Sequence, residues 1–536
     1  MSPRFKDSSQ LHRRLGNAES PISDAKALLW IICLAFVSVG ARNFEDGLSL
    51  DAPLYASIAR NIARTGEWFF MYGNVPDFVP FAEHTHFGFW LQALIFKVLP
   101  AADWSVRILG HLSYVINLFL VFKIAKYFFN QTTAVISVLL LWSWAVFSNF
   151  HSTFYLDGPT LSFGLGFLYF YYKALYSQKK KTMGYAALAG TLLGLAALTK
   201  GLTFLVFGPT AAAIFLSTID FKRPNKSKIL KHLGLSGLTL AALGICLALY
   251  YAAIKNSSVP NFLEIYHQRQ FENRFQQAWN WSMLWDFGFW KRLARDTHWL
   301  TLFLPLALFR VRKHPPTWII FTFFATGLMM YAPASRIGGQ YWLILMPPLA
   351  ILLSGAFSTS KWGSNISPAK WTKNTQIIAV AIVLLIQYLP FRTHVSRYPD
   401  VTPFTDELKK AGSINHLLVS GPSKALTFIT LSPFGWYPDL PVNYLKEELL
   451  RGYNTSAPIP LEEQSPKNLF RLPGPRSAIF HFVDPSHRTD GLAEQINEFE
   501  ALTPDGTKIS YCLIQRIGNS TLFVPKTSTK PYSCVK

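Results

Sequence analysis

The chain has 536 residues, 50% of them hydrophobic and 15% aromatic, and a formal net charge of +21. So much apolar sequence cannot be one soluble core, so a polytopic α-helical membrane protein is expected. The basic residues are scattered over many short loops, which excludes the continuous basic stripe of a nucleic-acid binder.

Apolar runs of ~17–25 residues read as membrane helices. In chain order they fall at 26–42, 105–128, 132–150, 159–177, 183–199, 202–219, 233–254, 298–310, 316–333, 340–357 and 375–390, with 298–310 the shortest. Residues 1–25 form a basic tail carrying Arg4, Lys6, Arg13 and Arg14. The run behind the tail lacks a small-residue cleavage site and reads as an uncleaved first helix. Further basic loops occur at Lys123–Lys126, Lys179–Lys181, Phe221–Lys231, Arg310–His314 and Lys361–Lys373. With the N-terminus inside, eleven spans place every one of these loops on the cytoplasmic side. Phe87–Leu99 is apolar but only about 13 residues long, too short to span with ease. It is expected, with Tyr55–Arg64, to lie along the outer surface as a juxtamembrane helix. Residues 43–104 then form a large first extracytoplasmic loop, and 150–158, Lys200-Gly201, 255–297, 334–339 and 391–536 lie on the same face.

Residues 391–536 change character, with shorter apolar runs and more Pro, Asn, Ser and Asp. His416–Ser420, Ser477–Val483, Ile509–Ile517 and Thr521–Val524 read as strands, and Thr405–Ala411 and Leu492–Leu502 as helices. The expectation is a small extracytoplasmic α/β domain. Its Cys512 and Cys534 are a disulfide candidate in an oxidising compartment, whereas Cys33 and Cys246 read as inert residues of membrane helices. No glycine-rich phosphate loop and no CxxC occurs in the sequence.

Ionisable groups at a membrane face are costly and point to function. Asp51, in Leu50-Asp51-Ala52-Pro53-Leu54-Tyr55, and Asp157, in Tyr155-Leu156-Asp157-Gly158-Pro159, share the outer face with Asp46, Arg60, Glu83, His84, His86, Lys200, His267, Arg269, Arg336 and Tyr341. Carboxylates among cations suit a phosphate-bearing substrate that needs a base. Asp51 reads either as that base or as a helix cap, with Asp46 its competitor. Lys200 reads as a cation for a phosphate leaving group or as a snorkelling interfacial lysine. Arg336 is a bidentate phosphate clamp or an interfacial anchor. Glu83 with His267 is a candidate metal pair without tight ligand spacing. His151 reads as a helix-end cap. Trp279, Trp281, Trp285 and Trp290 read as an aromatic belt or as a surface for a lipid tail or sugar ring.

Several motifs resemble those of the GT-C fold membrane glycosyltransferases, in the branch of the protein O-mannosyltransferases and the lipid A aminoarabinose transferase. The first-loop pattern of that branch stands here as Asp51, Tyr55-Ala56-Ser57-Ile58-Ala59-Arg60 and Gly66-Glu67-Trp68. Its aromatic-Glu-Lys/His-Pro-Pro segment stands as Phe81-Ala82-Glu83-His84-Thr85-His86, with the prolines missing. Arg107-Ile108-Leu109, Tyr155–Pro159, Gly194–Gly201 and, more loosely, Arg336 through Gln340-Tyr341-Trp342-Leu343 also match. The resemblance covers roughly 25–355. It departs at Ala52, where the family often has a second acidic residue, so that Asp51 works alone or Asp46 supplies the charge.

The resemblance implies a GT-C transmembrane catalytic domain over 26–390 and a polyprenyl-phosphate-linked sugar donor. The acceptor is a lipid, glycan or protein, and the sugar moves to its hydroxyl or phosphate with inversion. Asp51 is the implied base and Asp157 the organiser; Lys200, Arg336 and Arg60 meet the donor phosphate; Asp46, Glu83, His84, Tyr341 and His267 line the substrates. It implies no required cofactor or catalytic metal, and a monomer in the bacterial inner membrane. The rival reading is a lipid or polysaccharide transporter or assembly protein of the envelope.

Overall fold

The structure, a computed structural model, describes residues 23–358 with breaks, chiefly at most of 41–50, 74–79, most of 273–284 and 332–338. Beyond them it describes strands between 416 and 525. Two compact units are present. One comprises residues 1–45, 82–91 and 104–393, the other 46–81, 92–103 and 394–536.

The described helices, in chain order, are α1 (Asp24–Ser38), α2 (Ala52–Thr65), α3 (Phe87–Val98), α4 (Asp103–Phe128), α5 (Gln131–Ser143), α6 (Ala145–His151), α7 (Asp157–Tyr176) and α8 (Thr182–Lys200). They continue with α9 (Phe207–Leu216), α10 (Lys226–Lys255), α11 (Phe262–His267), α12 (Phe287–Asp296), α13 (Leu304–Val311), α14 (Pro315–Tyr331) and α15 (Met346–Ser358). Each expected span through 340–357 falls on one of these helices or on a joined pair; 375–390 lies outside the described residues. By length and composition three described stretches are long and apolar enough to cross a membrane: Asp103–Phe128, Thr182–Leu216, which a reversal at Gly201 folds into two legs, and Lys226–Lys255. A fourth is added if α5 and α6, bent by 73° at Trp144, count as one span. Further apolar helices of 10–17 residues are Phe87–Val98, Leu300–Val311, Pro316–Tyr331 and Met346–Ala356.

Side-chain contacts give the first unit its helix directions. Lys173 stands over the Tyr185 ring at 5.3 Å, Leu192 lies beside Gly166 and Lys200 reaches Asp157, so α8 runs antiparallel to α7. The chain then reverses. Phe207 lies against Gly164 and Ser217 hydrogen-bonds Tyr176 at 2.7 Å, so α9 returns along α7. The reversal is made at Gly201, whose φ of 57° lies in the left-handed region and suits glycine. A Cβ there would stand 1.7 Å from the Tyr266 hydroxyl.

Helix α10 runs parallel to α8 along a seam of small residues. Thr239 donates to the Ala186 carbonyl at 3.1 Å, and Cys246 fills the space over Gly194. A Cβ on Gly190 would come within 2.0 Å of the Thr239 carbonyl oxygen. Gly190→Ala is therefore expected to force α8 and α10 apart at a cost of about 1–3 kcal/mol. The check is a lower midpoint of thermal unfolding in detergent, with Gly184→Ala, which has open space, as the silent control.

The end of this unit opposite Asp157 carries basic groups. Lys123 and Lys126 both pair with Asp24 at the start of α1, and these lysines hold the Asp24 carboxyl below its ordinary range against the opposing effect of burial.

In the second unit, α2 is buried from Ala52 to Ala63. It ends at Gly66, φ 75°, whose N–H donates to the Ile62 carbonyl. This is a left-handed helix stop. The same unit contains a seven-stranded sheet in the order β2-β1-β4-β7-β6-β5-β3. Its strands are β1 (His416–Gly421), β2 (Val442–Lys446), β3 (Ile459–Pro460), β4 (Ser477–His481), β5 (Glu498–Leu502), β6 (Lys508–Ile517) and β7 (Ser520–Pro525). β2, β1 and β4 are parallel neighbours, while β4, β7, β6 and β5 pair antiparallel. The helix expected over Leu492–Leu502 is corrected at its C-terminal half: Glu498–Leu502 is a strand, paired from Glu498↔Cys512 to Leu502↔Lys508. Its apolar residues Phe499 and Ala501 alternate with Glu498 and Glu500, the period of a strand. Thr405–Ala411 and Cys534 lie outside the described residues, as does the side chain of Cys512, and with it the disulfide candidate.

Candidate active site

Asp157 is the first residue of α7 and Lys200 the last of α8. A carboxylate at a helix N-terminus and an ammonium at a C-terminus each complement the local helix dipole. The antiparallel packing of the two helices brings these ends together, and Lys200 Nζ donates to Asp157 Oδ1 at 2.5 Å. The side chains are 6% and 9% exposed. Tyr341 covers the ammonium, its ring centroid 5.0 Å from Nζ, a cation–π contact. Tyr341 in turn stacks on Tyr331 at 5.3 Å. The sequence placed Asp157, Lys200 and Tyr341 on one face, and the structure brings the three into direct contact.

Both partners are held from behind. On the Asp157 side, the ring of buried His151 donates from Nδ1 to the Phe147 carbonyl at 2.6 Å, so its Nε2 accepts from Asn117 Nδ2 at 2.9 Å. The same amide nitrogen reaches the Gly158 carbonyl at 3.1 Å. His151 does bond a last-turn carbonyl of α6, as a helix-end cap should, and joins α6 to Asn117 of α4, which in turn ties α4 to the start of α7. On the Lys200 side, Thr85 Oγ1 donates to the Ala197 carbonyl at 3.0 Å and accepts from the Gly201 N–H at 3.1 Å.

A second polar group lies around Glu83. The chain leaves α11 through a π turn at Gln268–Gln270. There Gln270 Nε2 donates to the Glu83 carbonyl and to Oε2, at 2.5 and 3.0 Å, and Arg269 pairs with Glu83 Oε1 at 3.8 Å. His267 faces Glu272 at 3.9 Å instead. Among the described residues no group of three His, Cys, Asp or Glu side chains is placed to hold a metal ion. His84 is buried. Buried His86 shares a 2.6 Å hydrogen bond with the Tyr250 hydroxyl and packs on Phe262.

Asp51 occupies the N-cap position of α2, but its side chain makes no capping hydrogen bond, so the cap reading of its carboxylate fails. Arg60 is buried within α2. Asp46, Arg336, Trp279 and Trp281 lie outside the described residues, while Trp285 is 87% exposed. The contacts that sequence reasoning missed are those of Thr85, Asn117 and Gln270. Only Thr85 carried a signal, as a polar residue where the resembled motif has proline.

Residues 83–251 match the family model of dolichyl-phosphate-mannose-protein mannosyltransferase. An undecaprenyl phosphate-alpha-4-amino-4-deoxy-L-arabinose arabinosyl transferase of Shewanella sediminis (strain HAW-EB3) is 24% identical over 373 residues, 67% of this chain. The match spans 64% of that relative's length. The crystal structure of ArnT from Cupriavidus metallidurans bound to undecaprenyl phosphate superposes with a TM-score of 0.65 at 15% identity, covering 95% of this chain and 100% of that one. Its apo state gives 0.62, also at 15% identity, over 94% and 98%. Asp157, Lys200, Glu83 and the Thr85 clamp all fall inside the stretch that is similar to the mannosyltransferase family, and the chain shares its fold with the ArnT structures.

Proposed function

We propose that this protein is a multi-pass inner-membrane glycosyltransferase that moves a sugar from a polyprenyl-phosphate donor to an acceptor at the outer face. Asp51 takes the proton of an acceptor hydroxyl as general base. The acceptor oxygen bonds the anomeric carbon from the side opposite the phosphate, the carbon–oxygen bond to phosphate breaks with its electron pair, and configuration inverts. Lys200 and Arg336, with Arg60, stabilise the charge on the departing lipid phosphate, and Asp157 holds Lys200 until it arrives. The observation that carries the reading is the buried Asp157–Lys200 pair beneath Tyr341. A buried charge pair in a membrane protein is expensive and marks a functional site, and a phosphodiester that gains a second negative charge as its sugar leaves is the kind of ligand that can draw a lysine from a single carboxylate. The name of the Shewanella relative favours 4-amino-4-deoxy-L-arabinose as the sugar, carried on undecaprenyl phosphate. In this reading the N-terminus is cytoplasmic and the sheet-bearing residues after 391 are extracytoplasmic, as part of a small α/β domain.

The test uses membranes containing the protein, undecaprenyl phosphate carrying radiolabelled aminoarabinose, and lipid A. Label is expected to move to lipid A with release of undecaprenyl phosphate, and to do so equally in EDTA. Label that crosses the bilayer still attached to its original lipid would make the protein a transporter instead.

A further inference from the structure

We infer that Thr85 is a positioning residue for Lys200, acting through the backbone of the α8–α9 reversal; the inference rests on the proposed role of Lys200 at the lipid phosphate. At the end of α8 the Gly201 N–H donates to the Ala197 carbonyl and closes the last turn. The Thr85 hydroxyl bridges the same two groups from outside, donating to the Ala197 carbonyl and accepting from the Gly201 N–H, so it braces the turn that carries Lys200. This turn needs such a lock. Gly201 is the residue with the least backbone preference, and it directly follows the lysine. Without the hydroxyl the turn is held by the single Gly201–Ala197 backbone bond and by contacts beyond it, among them Tyr266 packed on Gly201. Thr85 comes from a segment 112 residues away in sequence from its Ala197 partner. It is followed by His86, itself tied to Tyr250 on α10, so the clamp is anchored and does not drift with the turn.

Thr85→Val removes the hydroxyl and keeps the volume. It is expected to weaken binding of undecaprenyl phosphate to the detergent-purified full-length protein by about fivefold, the worth of one hydrogen bond, and Thr85→Ser should restore it. Thr85→Ala is the second variant if Val disturbs folding. In a Lys200→Ala background Thr85→Val should add nothing. An equal fivefold loss in that background, or unaltered binding by Thr85→Val while Lys200→Ala weakens it, would overturn the inference. Unaltered binding by Lys200→Ala would instead overturn the reading of Lys200 as a phosphate ligand, and the positioning role with it.

Discussion

Lys200→Met alone is expected to destabilise the protein by about 3–5 kcal/mol, because it leaves the Asp157 carboxylate buried without its partner. At 6% and 9% exposure, the carboxylate is shielded from the bulk solvent that could otherwise compensate for the lost ammonium. Asp157→Leu should cost a similar amount for the mirror-image reason. The double variant Lys200→Met/Asp157→Leu removes both charges and should regain most of the lost stability, since apolar replacements of buried pairs are often neutral or better. It should nevertheless remain inactive in sugar transfer, the proposed phosphate cation being gone. Thermal unfolding in detergent reads the first effect and the transfer assay the second. Single variants as stable as wild type would give the pair the worth of a surface ion pair, about 0–1 kcal/mol. An active double variant would take Lys200 out of the chemistry.

Asp51→Asn is expected to lower the transfer rate by about 10²–10⁴-fold with an acceptor hydroxyl, the usual contribution of a positioned general base. The size of the loss also reports on the acceptor. A phosphate monoester, whose second proton leaves near pH 6, is already largely an anion at neutral pH and needs little help from a base. A loss well under tenfold, with protein correctly folded, would therefore point to a phosphate oxygen as the nucleophile. Because the Asp51 side chain makes no cap hydrogen bond in α2, the substitution should leave the helix intact, and the kinetic loss can be read directly. Asp46→Asn in the same assay decides which carboxylate leads.

Apolar run length located the helices of the first unit, because it depends on local composition. Run length and loop charge together also placed Asp157, Lys200 and Tyr341 on one face before any contact was known. What local sequence does not encode is the register between distant legs. Thr85 meets Ala197, and Asn117 meets Gly158, only because helices far apart in the chain pack at one particular offset. The same limit explains β5. Leu492–Leu502 is rich in Leu, Ala, Glu and Gln, all good helix formers, yet its last five residues lie between β6 and β3 in the sheet. Backbone pairing with neighbours supplied later and earlier in the chain outweighs the local preference.

The α8–α9 hairpin carries its lysine at the tip, and under the proposed topology that tip must be threaded through the bilayer while the protein is being made. A lysine at the membrane centre costs about 2.5–3.5 kcal/mol on insertion scales, and the two legs of the hairpin have little else to hold them apart from lipid. Asp157 precedes this hairpin in the chain and starts the leg next to it. It is already in place when Lys200 emerges and can neutralise the charge on arrival. Cells making Asp157→Leu protein should therefore show less of the chain integrated in the membrane, a defect of biogenesis that precedes, and is separable from, any defect in turnover.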